Sequence, residues 1–330
     1  MILIVGGAGY IGSHTVKEVL EKGYEVIVLD NLSTGHIKSL DSRVTFVEGD
    51  LGNAEVLNHI FTSYSIEAVL HLAANSLVSE SVQDPAKYYL NNVTATLTLL
   101  NKMREYKVMN LIFSSTAATY GIPETTPITE ETPVAPINPY GKTKLMVEQM
   151  LSDFHNAYGL NNVILRYFNA CGAHETGEIG EDHTPESHLI PIVIQHLLGQ
   201  RQSISIFGTD YNTPDGTCIR DYIHVTDLAK AHVVSLESIL NGKNTNAIYN
   251  LGSGRGYSVR EIIETCERVT GIKASIVEVE RRAGDPDELI ASANKIYREL
   301  GWVVEYSLEE IIASAWQWHK NHPNGYKSIN

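Results

Sequence analysis

The N-terminal stretch up to Gly12 constrains the fold of this chain more than any other. Residues 2–5 are apolar and mostly β-branched, which predicts a short buried strand of a parallel sheet. Glycines follow at once, and residues 13–20 open a helical pattern. This order predicts a pyrophosphate site, because glycine lets the backbone approach closely and a helix N-terminus offers unpaired N–H groups. Two registers fit, Gly7-x-Gly9-x-x-Gly12 and Gly6-x-x-Gly9-x-x-Gly12, and spacing alone does not choose between them.

Composition narrows the class of protein. The chain has 330 residues, 43% of them hydrophobic, so it can hold two domains or one large one. A net charge of −14 argues against a nucleic-acid partner and against an anionic membrane surface. Cys171, Cys218 and Cys266 are far apart, which argues against disulfide and zinc frameworks and predicts a reducing cytoplasm. The histidines are scattered and no apolar run approaches a membrane span, so neither a metal site nor a membrane anchor is predicted.

An acidic residue ends the second predicted strand, residues 24–29. Asp30 follows Gly12 at close to the roughly 20-residue spacing at which a carboxylate accepts hydrogen bonds from an adenosine ribose. Residues 31–35 contain no arginine to hold a 2′-phosphate, so NAD is favoured over NADP. Asp50 follows a third predicted strand, residues 44–47; it can meet an adenine edge or be an ordinary solvated aspartate.

Strand and helix patterns alternate along the rest of the chain. This alternation predicts a Rossmann-like, doubly wound parallel α/β sheet with a smaller mixed α/β C-terminal domain. Asp84-Pro85 and Asn138-Pro139 are N-cap and N1 pairs, and they predict helices over 85–107 and 139–158, the second ended by Gly159. Strands are predicted at 68–74, 111–113, 248–251 and 276–279, and helices at 192–198, 227–240, 259–270 and 308–319.

Tyr140 and Lys144 are four residues apart and therefore share one helix face. A phenol with a pKa of about 10 is a poor base at neutral pH. A neighbouring ammonium and a nicotinamide cation lower that pKa, so the tyrosine can accept a hydroxyl proton while hydride leaves the same carbon for NAD. A hydroxyl from Thr116, at a neighbouring strand end, can bridge substrate and base. A lone Tyr-x-x-x-Lys pair usually has no catalytic role. Here the pair follows a predicted nucleotide-binding turn, and this order favours a role in catalysis.

This order of motifs resembles the extended short-chain dehydrogenase/reductases, and within them the UDP-glucose 4-epimerase family along nearly the whole chain. The resemblance rests on these stretches: Gly9-Tyr10-Ile11-Gly12-Ser13-His14-Thr15, Leu165-Arg166-Tyr167-Phe168-Asn169, Ile206-Phe207-Gly208-Thr209-Asp210-Tyr211, Arg220-Asp221-Tyr222-Ile223-His224-Val225 and Arg281-Arg282-Ala283-Gly284-Asp285.

The resemblance implies reversible inversion at C4 of UDP-glucose and UDP-galactose through a 4-keto sugar, with tightly bound NAD. It implies a homodimer paired through the helices at Asp84 and Tyr140. Residues 1–170, joined by parts of 222–255, are expected to bind NAD, and residues 171–330 the UDP-sugar. The implied cofactor contacts are Gly6, Gly9, Tyr10, Ile11, Gly12, Asp30, Asn31, Asp50, Leu51, Leu72, Ala73, Asn91, Ser114, Tyr140, Lys144 and Phe168. The implied substrate contacts are Thr116, Asn169, His188, Leu189, Phe207, Arg220, Tyr222, Arg282, Asp285 and Leu289.

Four places depart from the family pattern, and one of them is the Asn75-Ser76 stretch, which lacks the lysine that some members have. Thr116 stands where serine is frequent, His188 where asparagine is frequent, and Leu289 where well-known members have tyrosine or cysteine. The smaller Leu289 leads us to expect room for N-acetylated UDP-sugars. Two alternatives remain open: a nucleotide-sugar 4,6-dehydratase, which normally has an Asp-Glu pair where Ala117-Ala118 stands, and a non-catalytic NAD-binding sensor, which would have no need of Tyr140 and Lys144.

Overall fold

The computed structural model describes residues 1–282 and 284–327. The strands are β1 (Ile2–Val5), β2 (Val26–Asp30), β3 (Thr45–Glu48), β4 (Ala68–His71), β5 (Asn110–Thr116), β6 (Asn161–Tyr167), β7 (Asn169–Cys171), β8 (Ile204–Phe207), β9 (Ile219–His224), β10 (Asn246–Leu251), β11 (Gly256–Ser258), β12 (Ile276–Val279) and β13 (Glu288–Leu289). The helices are α1 (Tyr10–Glu21), α2 (Ala54–Ser63), α3 (Val78–Gln83), α4 (Pro85–Tyr88), α5 (Ala95–Glu105), α6 (Pro139–Tyr158), α7 (Leu189–Leu197), α8 (Val225–Leu240), α9 (Val259–Thr270), α10 (Asn294–Leu300) and α11 (Leu308–Asn321).

Seven strands form one sheet in the order β10-β6-β5-β4-β1-β2-β3. Every neighbouring pair in this sheet is parallel, and the order reverses direction between β1 and β4. The predicted doubly wound parallel sheet is therefore confirmed. Its last strand, β10, comes from far along the chain and pairs with β6, so that Leu251 lies opposite Tyr167.

The sheet is buried on both faces, and side chains alternate between two apolar clusters. Ile2 and Ile4 of β1 pack with α1 and α8 on one face, whereas Leu3 and Val5 pack with α2, α5 and α6 on the other. A third cluster joins α7, α9 and α11 with β8 and β9 and forms the core of the C-terminal part. Among the described residues, no helix combines the length and the apolar character needed to cross a bilayer.

Local signals placed most helix ends correctly. Asn138 accepts a hydrogen bond from the Gly141 N–H at 2.8 Å, and Gly159 ends α6 with φ +74°. The helix predicted over 85–107 is interrupted, because residues Tyr89–Thr94 form a π-helical segment. The helix predicted over 192–198 begins earlier, at Leu189. Pro191 is tolerated there because the first-turn N–H groups have no intrahelical partner.

Candidate active site

Four glycines, Gly6, Gly7, Gly9 and Gly12, lie at the turn between β1 and α1. Gly6 has φ +82°, and a Cβ at this position would lie 2.5 Å from the Ala73 nitrogen. A Cβ on Gly12 would lie 2.0 Å from the Gly6 carbonyl oxygen, so the first turn of α1 can pack on the loop only without one. At Gly9 the nearest atom would be 3.5 Å away. Gly6 and Gly12 shape the turn and Gly9 leaves space beside it, so the register Gly6-x-x-Gly9-x-x-Gly12 fits. A Cβ on Gly7 would lie 2.8 Å from Val28 Cγ1, so this glycine also packs closely.

Asp30 fixes the end of β2 against this turn. Its Oδ2 accepts a hydrogen bond from the Ala8 N–H at 2.9 Å, and its Oδ1 accepts one from the Leu32 N–H at 2.9 Å. Burial raises the pKa of Asp30, and the two N–H donors oppose that rise. Asn31 beside it donates from Nδ2 to Asp50 Oδ2 at 2.9 Å. Hydrogen bonds therefore hold the polar side chains at the end of β2 in place.

One cavity runs from the glycine turn to the N-terminus of α6. Its walls include the following residues from the sequence-based cofactor set: Gly6, Gly9, Tyr10, Ile11, Gly12, Asp30, Asn31, Asp50, Leu51, Leu72, Ala73, Asn91, Tyr140, Lys144 and Phe168. Ser114 is not among the lining residues. Its hydroxyl pairs with His232 Nε2 at 2.8 Å inside the core, so its side chain braces β5 against α8.

Tyr140, Lys144 and Thr116 line the inner end of this cavity. Burial raises the pKa of Tyr140 to about 12, and a hydrogen bond with Thr116 acts in the opposite direction. Burial lowers the pKa of Lys144 to about 7, against the attraction of Glu148. Lys144 Nζ donates to the Ser114 carbonyl oxygen at 2.8 Å and lies 4.8 Å from the Phe113 ring centroid. The expected lowering of the phenol pKa is not a property of the chain by itself, because burial outweighs the nearby groups.

A buried ion pair lies below this site, and the sequence reasoning missed it. Glu148 is one turn beyond Lys144 on α6, and its carboxylate accepts from Arg166 Nε at 3.0 Å and Nη2 at 2.5 Å. Ser115 also donates to Glu148, and Arg166 Nη1 donates to the Tyr120 hydroxyl at 2.9 Å. The spacing of Glu148 from Lys144, i to i+4, was the available signal. The pair joins the helix that carries Tyr140 to the adjacent strands β5 and β6.

A second cavity continues from the first into the C-terminal part. Asn169 and His188 line both cavities, and the second also has walls from these predicted substrate residues: Leu189, Phe207, Arg220, Tyr222, Arg282 and Asp285. Arg220 forms an ion pair with Asp285 at 2.5 Å. The guanidinium of Arg282 lies 4.0 Å from the Phe207 ring centroid. Cations and an exposed aromatic ring therefore meet in one place, as a nucleoside diphosphate requires.

Leu289 is the predicted substrate residue that stands apart. It is not among the lining residues of either cavity and lies in β13, in register with Arg220 of β9. Its neighbour Glu288 lines a third opening, together with Arg282 and Asp285. Ala283, in the same signature stretch, lies outside the described residues.

Two acidic and two histidine side chains cluster where the two cavities meet. Glu181, His183, Glu186 and His188 each place one donor atom within 4.8 Å of the others. Burial tends to raise the pKa of Glu181, but His188 and His183 outweigh it and lower the pKa to about 2. The four residues follow one another with the spacing Glu-x-His-x-x-Glu-x-His, and the sequence-based expectation of no metal site stays a prediction. These four side chains are the group that offers a set of metal ligands in the described part of the chain.

Comparisons with known proteins agree with this geometry. A family model described as GDP-mannose 4,6 dehydratase matches residues 3–315. The UDP-glucose 4-epimerase of Halalkalibacterium halodurans is 56% identical over 330 residues, covering 100% of this chain and 98% of that protein. A crystal structure of a UDP-glucose 4-epimerase superimposes with a TM-score of 0.97 at 51% identity and covers 99% of both chains.

Two further structures bear on the ligands. The UDP-glucose 4-epimerase of Bifidobacterium longum, solved in complex with NAD+ and UDP, has a TM-score of 0.93 at 41% identity and covers 98% of this chain and 99% of its own. The UDP-Glc/GlcNAc 4-epimerase of Campylobacter jejuni has a TM-score of 0.85 at 42% identity and covers 97% of this chain and 99% of its own.

Proposed function

Because the chain belongs to the UDP-glucose 4-epimerase family of the extended short-chain dehydrogenase/reductases, we propose that it interconverts UDP-glucose and UDP-galactose with tightly bound NAD. One observation carries the proposal. A nucleotide cavity with Tyr140 and Thr116 at its inner end opens directly into a second cavity that holds Arg220, Arg282 and Phe207. A sugar whose diphosphate lies in the second cavity therefore extends toward Tyr140.

The chemistry that we propose needs one base and one tether. Tyr140 accepts the proton of the 4-hydroxyl, and Thr116 holds the same oxygen through its own hydroxyl. Bound NAD would accept hydride from C4 and later give it back. Loss of the hydroxyl proton and of this hydride leaves a 4-keto sugar. Arg220 and Arg282 hold the diphosphate while the keto sugar turns its other face to the cofactor. Hydride and proton then return, and the configuration at C4 is inverted.

The cofactor contacts of this proposal are the residues around the glycine turn and Asp30. The carboxylate of Asp30 is already ordered by the Ala8 and Leu32 N–H groups, so it can accept from a ribose without losing its position. A 2′-phosphate beside this carboxylate would be repelled, which supports NAD over NADP.

A 4,6-dehydratase is the main alternative on this fold, and the matching family model carries that name. Elimination of water needs an acid and a base beside the hydroxyl residue. After Thr116 the chain instead makes a short 3₁₀ turn over Ala117–Thr119, and neither Ala117 nor Ala118 can transfer a proton. We therefore favour epimerisation.

The deciding test is the conversion of UDP-galactose to UDP-glucose by purified protein with no added NAD. We expect full activity, and we expect acid extraction to release close to one NAD per chain, because a cofactor that is reset in each turnover has no need to exchange. Release of a 4-keto-6-deoxy sugar would establish the dehydratase instead. Activity that depends on added NADP would refute the cofactor assignment and the role given to Asp30.

We also propose that the N-acetylated pair of UDP-sugars is accepted. Leucine at 289 is smaller than tyrosine, and the strain of forcing an N-acetyl group into a tight pocket is about 1 to 3 kcal/mol. Leu289 is not among the lining residues of either cavity, so this proposal rests on the family resemblance at position 289 and not on the cavity walls. The test compares kcat/KM for both substrate pairs in the native protein and in Leu289→Tyr. Selective loss of N-acetyl activity supports the proposal, and equal loss for both pairs, or none in the native enzyme, refutes it.

A homodimer is proposed from apolar side chains on α3, α6 and the π-helical segment between α4 and α5. Val82 and Leu90 are each 64% exposed and Met146 is 40% exposed, on segments that pack against one another. We expect light scattering to give twice the chain mass at micromolar concentration and Leu90→Glu to lower it. A native monomer at that concentration would exclude the dimer.

Two broader assignments belong to the same proposal. We propose a cytoplasmic location, since Cys171, Cys218 and Cys266 are all free thiols. We also propose the division into a cofactor-binding part, residues 1–170 joined by parts of 222–255, and a UDP-sugar-binding part, residues 171–330. The pairing of β10 with β6 supports the return of the chain to the first part.

A further inference from the structure

The loop before α7 gathers four potential metal ligands within eight residues. Glu181 Oε1 lies 3.1 Å from His183 Nδ1 and 2.5 Å from His188 Nδ1. Glu186 lies 3.5 Å from His188 Nδ1 through Oε1 and 4.0 Å from His183 Nδ1 through Oε2. Both imidazoles thus turn the same ring nitrogen toward both carboxylates. One donor atom from each of the four side chains lies within 4.8 Å of the others.

The two carboxylates of this cluster need positive charge beside them. The side chains of Glu181 and Glu186 are each only 3% exposed, and two carboxylates so close together and so far from water repel each other strongly. Their ion pairs among the described residues are with the same two histidines. The cluster can be neutral with a proton on each imidazole, or with two neutral imidazoles and one divalent cation.

The spacing of the donors suits a tetrahedral metal. Bonds of about 2.0 to 2.2 Å place neighbouring donors of a tetrahedron about 3.3 to 3.6 Å apart. The 3.1 Å between Glu181 Oε1 and His183 Nδ1 lies near this value, and the 4.0 Å between Glu186 Oε2 and His183 Nδ1 lies above it. The 3.5 Å contact of His188 Nδ1 is with the other oxygen of Glu186, Oε1. The 2.5 Å between Glu181 Oε1 and His188 Nδ1 is a hydrogen-bond separation, and a metal would replace the proton shared there. Two imidazoles with two carboxylates are a ligand set for Zn²⁺ rather than for Mg²⁺ or Ca²⁺.

The ligands are also held from outside, as a metal site requires. The Glu181 carbonyl oxygen accepts from Trp318 Nε1 of α11 at 3.0 Å. Glu186 Oε1 accepts from the N–H groups of Ser187 and His188 at 2.7 and 2.8 Å, which leaves Oε2 for a further ligand bond. His183 packs edge-on against Tyr10, with ring centroids 6.0 Å apart. These contacts hold the Glu181 backbone, the Glu186 carboxylate and the His183 ring in place.

From this geometry we propose that Glu181, His183, Glu186 and His188 form a structural Zn²⁺ site that closes the loop between the cofactor cavity and the nucleotide-sugar cavity. The ion links His188, the residue before α7, to Glu181, whose carbonyl oxygen accepts a hydrogen bond from Trp318 of α11. Ligation through Nδ1 leaves His188 Nε2 directed away from the metal, so His188 can still contribute to the wall that both cavities share. The site does not depend on the proposed epimerase activity.

The test is metal content and metal affinity, measured on the full chain with its cofactor bound and without an affinity tag. We expect inductively coupled plasma mass spectrometry of protein purified without chelators to give close to one Zn²⁺ per chain. Co²⁺ in its place should give the visible absorption of a tetrahedral ion. His183→Gln and Glu186→Gln should weaken Zn²⁺ binding at least about 100-fold in competition with a chromophoric chelator, since even outer partners cost 10- to 100-fold.

The matched control is His174→Gln, which changes a histidine of the same loop whose Nδ1 contacts the Thr176 hydroxyl at 3.0 Å. It should bind Zn²⁺ like the native protein. Binding far below one Zn²⁺ per chain in excess metal, or equal affinity in all variants, would overturn the site. Nitrogen NMR that finds both Nδ1 atoms protonated in the presence of Zn²⁺ would show a proton-held cluster instead. If a variant fails to fold, native stoichiometry and the Co²⁺ spectrum still decide.

Discussion

Removing Arg166 should destabilise the protein far more than its position away from the cavity suggests. Its side chain and that of Glu148 are each 4% exposed, and they form two hydrogen bonds between β6 and α6. In Arg166→Met the aliphatic part of the side chain stays similar in size, but Glu148 keeps a buried charge without its cation. Breaking one side of a buried pair costs about 3 to 5 kcal/mol.

The double variant Glu148→Leu with Arg166→Met separates charge from packing. It removes both charges, so the main loss is the acceptor of the Ser115 hydroxyl, a buried group whose unmade hydrogen bond costs about 1 to 3 kcal/mol. Tyr120 keeps its hydrogen bond to Asn250 Oδ1 at 2.7 Å. We therefore expect the double variant to be more stable than Arg166→Met alone.

Urea unfolding followed by circular dichroism, with NAD saturating, measures these differences. Arg43→Met is the control, because its ion pair with Asp41 lies at the surface and such pairs contribute about 0 to 1 kcal/mol. A loss below about 1 kcal/mol in Arg166→Met, or a double variant less stable than that single one, would refute the reasoning about the unpaired charge.

Three other perturbations follow from the site. Tyr140→Phe should lower turnover about 10²- to 10⁴-fold while UDP still binds, because the phenol acts on the proton in the transition state; a near-normal rate would place the base elsewhere. Gly12→Ala puts a Cβ 2.0 Å from the Gly6 carbonyl, and a strain of about 1 to 3 kcal/mol should lower NAD retention after dialysis roughly 10- to 100-fold; undiminished retention would contradict this. Burial lowers the pKa of His71 to about 3, so stability falls as pH drops below about 6.5, where only the unfolded chain takes the proton. His71→Gln should reduce that slope by up to about 1.4 kcal/mol per pH unit between pH 6 and pH 4, and an unchanged slope in urea unfolding would exclude the effect.

The elements that sequence reasoning placed well are those with local causes. The ends of α6 depend on Asn138 and Gly159, which act within one turn of their own positions. The alternation of buried strands and amphipathic helices likewise gave the parallel sheet.

What could not be predicted depends on contacts between distant residues. Asn92 is buried in the π-helical segment because its amide bonds to Asn75, 17 residues away, and to Thr143, 51 residues away. The hydrogen bond from Lys144 to the Ser114 carbonyl depends on how α6 lies on β5. The spacing of His183 and His188 does not itself reveal that their ring nitrogens face the same two carboxylates.

The pairing of β10 with β6 has a consequence for how the chain is made. When β6 leaves the ribosome, the outer edge of the sheet is still open, and the strand that covers it ends only at Leu251. At about 5 to 20 residues per second, that edge waits roughly 4 to 17 s for its partner. Helix α8, which packs against α1, arrives in the same interval. The N-terminal sheet is therefore completed only after many residues of the nucleotide-sugar cavity have been synthesised. A fragment that stops at residue 170 would keep an exposed strand edge, at which it could self-associate.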